Sequence, residues 1–379
     1  MASSAENHQP HSATYGATTA PPPTPAAQTN CLSTNDAADT LSHFLHRLPP
    51  SLSLPPRLSP RTTCPPSISF SPQNTSFLDP YLSSFSQLGF FQLTNHPIPS
   101  QLALSAESES LSLFNLSKTQ KHQSFSNTWP LGYDEGDDNN NMEGGPIESF
   151  CFDSSCSTES TEVTSSTQLS LASLQKFTSE LEKVGTDVVE ALSSAMGFSK
   201  RLKEKDIQFS SLMWVSEGVA GNKQMISGRF YPYIIALQYQ ITCRKYSVLT
   251  DSGWSSVSPQ VDSVLVTVGD IAQVWSNGKL KKVRGRPVAT SGNDNSRFIT
   301  MSLLVTLPTD TTVTISPFLP VISSHANDSA NDEGQENDKV DKVTQEKMIF
   351  DTFSFEDYAW RVYHERFLFK DPLDRYLIK

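Results

Sequence analysis

Between Arg297 and Leu307, the residues Ile299, Met301, Leu303, Val305 and Leu307 fall at every second position. A strand turns successive side chains to opposite faces, so this run predicts a strand with one buried face and excludes an amphipathic helix. Val264-Leu265-Val266-Thr267-Val268 is a second β-forming run, and Ser276-Asn277-Gly278 between the two is a turn signal. Upstream the period changes. From 170 to 196, Leu174, Phe177, Leu181, Val184, Val188 and Leu192 recur at spacings of three and four, and Gly197 stands where a helix C-cap belongs. Helices followed by short strands joined by turns predict an α+β chain whose second half is a sandwich or jelly roll.

The rest of the chain divides by composition. Residues 1–65 are rich in Ser, Thr, Pro and Ala and have too little apolar surface to offset their ordering entropy, so they read as disordered. Order is expected from about Ser67. Asp79-Pro80 reads as a helix start, with Tyr81, Leu82, Phe85 and Leu88 on one face and Gly89 ending the helix. Phe90–Leu93 reads as a short buried strand, and Pro99 opens a second helix lined by Leu102, Ala106 and Leu113. From Trp129 to Gln168 the periodicity dissolves. No Lys or Arg lies between Lys121 and Lys176, so 134–162 reads as a solvated acidic loop. Residues 324–346 form a polar insertion, and the aromatic, basic tail from Phe353 reads as an ordered cap.

The 379 residues carry 29 basic and 40 acidic side chains, a net charge of −11. That balance argues against nucleic-acid binding, which needs a positive footprint. No apolar run reaches 18 residues, so no membrane helix is expected, and no secretory pattern opens the chain. Cys31, Cys64, Cys151, Cys156 and Cys243 are scattered without a C-x-x-C pair, which points to a reducing compartment. Asn74-Thr75-Ser76 fits a glycosylation pattern that such a compartment leaves idle. Cytoplasm is the expected location, with a chloroplast transit role for the acid-poor N-terminus as the alternative. Lys279, Lys281, Lys282, Arg284 and Arg286 form the densest basic cluster. It reads as a solvated strand face, or as a site for an anion, an acidic partner or the chain's own acidic loop. No P-loop, dinucleotide fingerprint, nucleophile elbow or catalytic triad is visible.

Three segments together resemble the plant 2-oxoglutarate- and Fe(II)-dependent dioxygenases, the isopenicillin N synthase-like group. Leu88-Gly89-Phe90-Phe91-Gln92-Leu93-Thr94-Asn95-His96-Pro97-Ile98-Pro99 is similar to the family's GFF…NHGIP signature, with Pro97 in place of glycine. The stretch from Trp254 through Gly269-Asp270 to Ser276-Asn277-Gly278 resembles its W-x-x-V-x-P…GD…SNG run. Phe355–Tyr358 and Asp371–Tyr376 look like its C-terminal helical segment. The resemblance implies a distorted double-stranded β-helix, a cupin-like jelly roll, flanked by N-terminal and C-terminal helices. It divides the chain into 66–200, similar to the family's N-terminal region, and 201–379, similar to its β-helix region.

Active members of the family hold iron with H-x-D or H-x-E and a later His, a facial set that leaves positions open for 2-oxoglutarate and oxygen. The eight histidines here are His8, His11, His43, His46, His96, His122, His325 and His364. None precedes an acid by two positions, and none lies between 123 and 324. The distal His belongs in a K-S-V-x-H-R context. Here the text is Lys281-Lys282-Val283-Arg284-Gly285-Arg286, so Gly285 stands at the ligand position. The H-x-D pair belongs between Tyr231-Pro232 and Trp254, a stretch that holds Gln240-Ile241-Thr242 and looks shorter than in active relatives. The family's R-x-S, which binds the far carboxylate of 2-oxoglutarate, matches Arg297-Phe298-Ile299, so the arginine is kept and the serine is not. Arg297 and Tyr231 are the candidate co-substrate residues. No catalytic residue and no metal ligand is assigned, and His96 is expected to cap a turn.

The expectation is a pseudoenzyme: a dioxygenase-like scaffold, monomeric, binding a small molecule or a protein, with no cofactor. A regulatory protein acting through its acidic loops and N-terminal segment is a further reading. The alternative is an active 2-oxoglutarate-dependent oxidoreductase acting on a small plant metabolite. It would use Fe(II) and 2-oxoglutarate, with an atypical metal site or an incomplete gene model.

Overall fold

The computed structural model describes residues 62–71, 78–125, 128–135, 148–156, 170–219, 231–290, 297–308, 313–318, 347–365 and 371–378. The chain divides into two units, Met1–Leu58 and Ser59–Lys379, and every described residue lies in the second. The expected N-terminal disorder up to residue 61 and the 324–346 insertion therefore lie outside the described residues.

In chain order the elements are β1 (Thr62–Thr63), β2 (Ser67–Ser69), α1 (Leu78–Gln87), β3 (Phe90–Thr94), α2 (Ser100–Phe114), α3 (Lys118–Ser124), β4 (Gly132–Asp134), β5 (Ser149–Asp153), α4 (Ala172–Ala195) and α5 (Ser199–Glu204). They continue as β6 (Ser210–Val219), β7 (Ile235–Tyr239), β8 (Lys245–Thr250), β9 (Gly253–Val257), β10 (Val264–Val268), α6 (Asp270–Trp275), β11 (Val283–Thr290) and β12 (Arg297–Thr306). Last come β13 (Thr314–Ile315), β14 (Phe353–Ser354), α7 (Phe355–Glu365) and a 3-10 turn at Pro372–Tyr376.

The strands form a major sheet, ordered β2-β3-β10-β7-β12-β6-β5-β4, and a minor sheet, ordered β1-β9-β8-β11. Helices cover the outer face of the major sheet, and the minor sheet covers its inner face. The predicted jelly-roll core with flanking helices is what forms.

Helix α4 shows how the pattern produces the packing. Its predicted stripe, Leu174 through Leu192, is buried, and each such Leu, Val or Phe contributes about 1.5–3 kcal/mol through lost apolar exposure. The carboxylate of Glu109 on α2 accepts from the free amides of Ser173 and Leu174 at 3.1 and 2.9 Å, which satisfies the helix start. Gly197, at φ +73°, ends it as predicted. Within the helix Gly185 is needed for close approach, because a Cβ there would lie 2.8 Å from Cγ2 of Val305 on β12.

Three sequence expectations are corrected. Order starts earlier than Ser67, since β1 pairs in parallel with β9 through Thr62↔Ser256 and Thr63↔Val257. The acidic segment 134–162 is not one loop. Ser149–Asp153 forms β5 between β4 and β6, because Phe150 and Phe152 pack with Phe125 on the helix-covered face. Residues 136–147 and 157–169 lie outside the described residues. Finally, β12 is buried on both faces. Ile299, Met301, Leu303 and Val305 face the helices, while Ser302, Leu304 and Thr306 are also buried, under the minor sheet.

Candidate functional site

The inner face of the major sheet follows from strand register. Ser302 on β12 lies opposite Trp214 on β6 and opposite Gln238 on β7, and Trp214 lies opposite Cys151 on β5. Directly opposed residues share a face, so these four side chains line the space beneath the minor sheet. All are buried. Toward the β3 edge, Phe90 and Leu265 of the major sheet pack against Tyr246, Val248, Val257 and Val283, so the two sheets are in apolar contact there.

The minor sheet contributes β11, which carries Arg284 and Arg286 of the basic cluster, while Lys279, Lys281 and Lys282 lie just before it. The structure divides that cluster: Lys279 and Lys281 are exposed, as a solvated face would have them, while Lys282 and Arg286 are buried, against that reading. Lys282 is fully buried, and its ammonium donates to Asp270 and Asp371 at 2.6 Å each. Burial alone would push this amine down, but the two carboxylates hold it above its ordinary value. Arg284 is half-buried and pairs with Asp371 at 3.2 Å. The β8–β11 register then shifts between Arg284 and Val288, an irregularity that re-aims side chains. Past that point Arg286 turns inward. Its guanidinium lies 4.5 Å over the Trp214 ring and donates to the Ser216 hydroxyl at 2.8 Å. Burial pulls this group down to about 10, so it is still cationic at neutral pH.

Gly285 sits at the same irregularity with φ +67°, a conformation that suits glycine. Its carbonyl accepts from the buried Tyr233 hydroxyl at 2.7 Å. It is itself buried, yet a Cβ built on it would meet nothing within 4 Å.

The other residues singled out from sequence are placed as follows. Gln240-Ile241-Thr242 follows β7 directly. Gln240 is buried with its amide donating to the Gln238 carbonyl at 2.9 Å, while Thr242 is exposed and accepts from Arg244 Nε at 3.1 Å. Tyr231 is buried edge-on to Phe355. Arg297 is about half exposed at the start of β12. It is paired with Glu217 and donates to the Asn115 amide oxygen at 2.9 Å. His96 packs edge-on to Tyr239, with Nε2 3.1 Å from the Asp262 carbonyl, and burial lowers its pKa. His122 pairs with Glu135 at 3.2 Å, and His364 stacks on Trp360; both are exposed. These three histidines occupy a turn after β3, α3 and α7, and none lies in a strand. Among the described residues, no group of three or more His, Cys, Asp or Glu is arranged to hold a metal.

Residues 66–165 match the family described as non-haem dioxygenase in morphine synthesis N-terminal, and residues 232–304 match the 2OG-Fe(II) oxygenase superfamily. Over these two regions the chain matches the 2-oxoglutarate/Fe(II) dioxygenase superfamily. Among its relatives, gibberellin 2-beta-dioxygenase 1 of Arabidopsis thaliana is 27% identical over 221 residues, covering 53% of this chain and 67% of that one. Gibberellin 2-beta-dioxygenase of Phaseolus coccineus is 26% identical over 223 residues, covering 53% and 65%. The aligned part thus spans about two thirds of the relatives' length. Solved dioxygenases share the fold. The crystal structure of JOX2 in complex with 2OG, Fe and JA superposes with a TM-score of 0.58 at 15% identity, covering 88% of this chain and 94% of that one. The rice dioxygenase for auxin oxidation gives 0.57 at 15%, covering 83% and 99%.

Arg286, among the described residues the one buried cation without a carboxylate partner, was named in sequence only as part of a basic cluster. The signal that separates it from its neighbours is the strand irregularity, which no residue pattern announces.

Proposed function

We propose that this chain is a non-catalytic binding or regulatory scaffold built on the dioxygenase fold, a monomer of the plant cytoplasm whose partner is a small molecule or a protein. One observation carries the reading: no histidine occurs between His122 and His325. That stretch contains strands β4 through β12 and both places where the resemblance puts the iron ligands. A facial iron site needs two imidazoles and a carboxylate. Gly285 offers no side chain, the Gln240 amide is turned onto the backbone of Gln238, and Thr242 is a neutral hydroxyl on the surface. These residues do not fit an Fe(II) centre, and no chemical step is routed through one. Free thiols at Cys64, Cys151, Cys156 and Cys243 support a reducing compartment.

The second reading, an active oxygenase using Fe(II) and 2-oxoglutarate, is favoured by the named activity of the relatives. Anaerobic calorimetry on the full-length chain separates the two. No Fe(II) uptake at millimolar metal, with or without 2-oxoglutarate, is the expected result. Stoichiometric tight binding of both would overturn the scaffold reading.

A further inference from the structure

We propose that the space between the two sheets binds a small organic carboxylate on the Arg286 guanidinium. The idea rests on the scaffold reading and gives its ligand a chemical class.

A buried charge is costly to keep unless something pairs it. Among the described residues Arg286 has no ion-pair partner. The carboxylate whose field reaches it is Asp134, without an ion pair between the two. Cys151 lies in the same field, and burial holds its thiol neutral. The guanidinium bonds to one neutral hydroxyl, and its Nε–H has no acceptor.

The neighbours repeat the pattern. Trp214 Nε1–H and Ser302 Oγ–H are buried, directly opposed across β6 and β12, and have no hydrogen-bond partner. Native structures leave few such groups unsatisfied. Gln238, opposite Ser302, leaves its amide nitrogen and its amide oxygen unpaired as well, so two facing sheets bring together four unpaired donors, one of them charged, and a single amide acceptor.

The charge count selects the ligand. One buried cation is neutralised by a monoanion, whereas a dianion would leave a buried negative charge. A carboxylate matches the planar fork of a guanidinium.

The test uses the full-length chain with a chelator present, so that iron uptake and carboxylate binding succeed or fail separately. Acetate, butyrate and benzoate are titrated by calorimetry beside acetamide, butyramide and benzamide, with sodium phosphate and chloride as inorganic controls. At least one carboxylate is expected to bind tenfold or more tightly than its amide and than either inorganic ion. Arg286→Met should abolish that preference while still unfolding cooperatively. Trp214→Phe, which keeps a ring but loses the N–H, should weaken the carboxylate at least threefold. It decides the matter if Arg286→Met fails to fold. Equal binding of acid and amide, binding of inorganic ions only, no binding across the series, or unchanged affinity in the folded variants would overturn the proposal.

Discussion

Lys282 and Arg286 stand four residues apart in one basic stretch, and both are buried, yet their surroundings are opposite. Lys282 meets two carboxylates at 2.6 Å, one from the start of α6 and one from the turn before the C-terminal 3-10 segment. Arg286 meets an indole face and a serine. The first cation ties three distant pieces of chain together and leaves nothing over for a ligand. The second is held in place with its charge unspent. Burial of a basic side chain therefore does not by itself mark a site; what marks one is a missing counter-charge.

The largest expected effect tests the tied end. Lys282→Met leaves Asp270 and Asp371 buried without their cation, and breaking a buried pair from one side costs about 3–5 kcal/mol. Arg286→Met in ligand-free protein removes a lone buried charge and is expected to change stability by less than about 1 kcal/mol, in either direction. Urea unfolding of the two variants measures the contrast. Equal losses would mean that Arg286 has a hidden partner and that the comparison is false.

Acid sharpens the same contrast. Burial pulls the Asp371 carboxyl upward, but Lys282, a backbone N–H from Leu373 and Arg284 together hold it below its ordinary value. A carboxylate whose folded pKa is depressed contributes stability above its unfolded pKa. That contribution is lost as pH falls through the folded value. Asp371→Asn should therefore be less stable than the wild type at neutral pH by about 1–3 kcal/mol, the worth of hydrogen bonds to a charged group. The gap should narrow as pH drops below about 4. A gap independent of pH would show that Asp371 acts through packing rather than charge.

Much of this arrangement was open to reading in the residues, and the exceptions share a cause. The stripe of α4, the alternation of β12 and the Gly89-Phe90-Phe91 strand obey local periods, and local periods survive folding. Ser302 and Trp214 obey one too, but their meaning depends on a second sheet whose strands come from other stretches of the chain. A serine alternating with leucines looks solvent-facing until another layer covers it. The five basic residues looked like one patch because spacing along a strand assigns faces only while the register holds. The irregularity after Arg284 sends Arg286 inward. Strand β5 was hidden for a similar reason, because its acidic flanks dominate the composition of a window in which Phe150 and Phe152 carry the packing.

The smallest expected effect concerns the arginine that the family resemblance had put forward. Arg297 lies at the exposed end of β12 with its guanidinium committed to Glu217 and Asn115, so it resembles neither the tied Lys282 nor the unpaired Arg286. Exposed ion pairs are worth little, because solvent screens the charges and two long side chains must be ordered. Arg297→Ala is expected to lower stability by less than about 1 kcal/mol and to leave the affinity for a bound carboxylate unchanged within twofold. Measured beside Arg286→Met in one titration, the pair assigns the anion to one arginine. A tenfold loss on Arg297→Ala with no loss on Arg286→Met would move the ligand to the strand end, where the resemblance places the 2-oxoglutarate carboxylate.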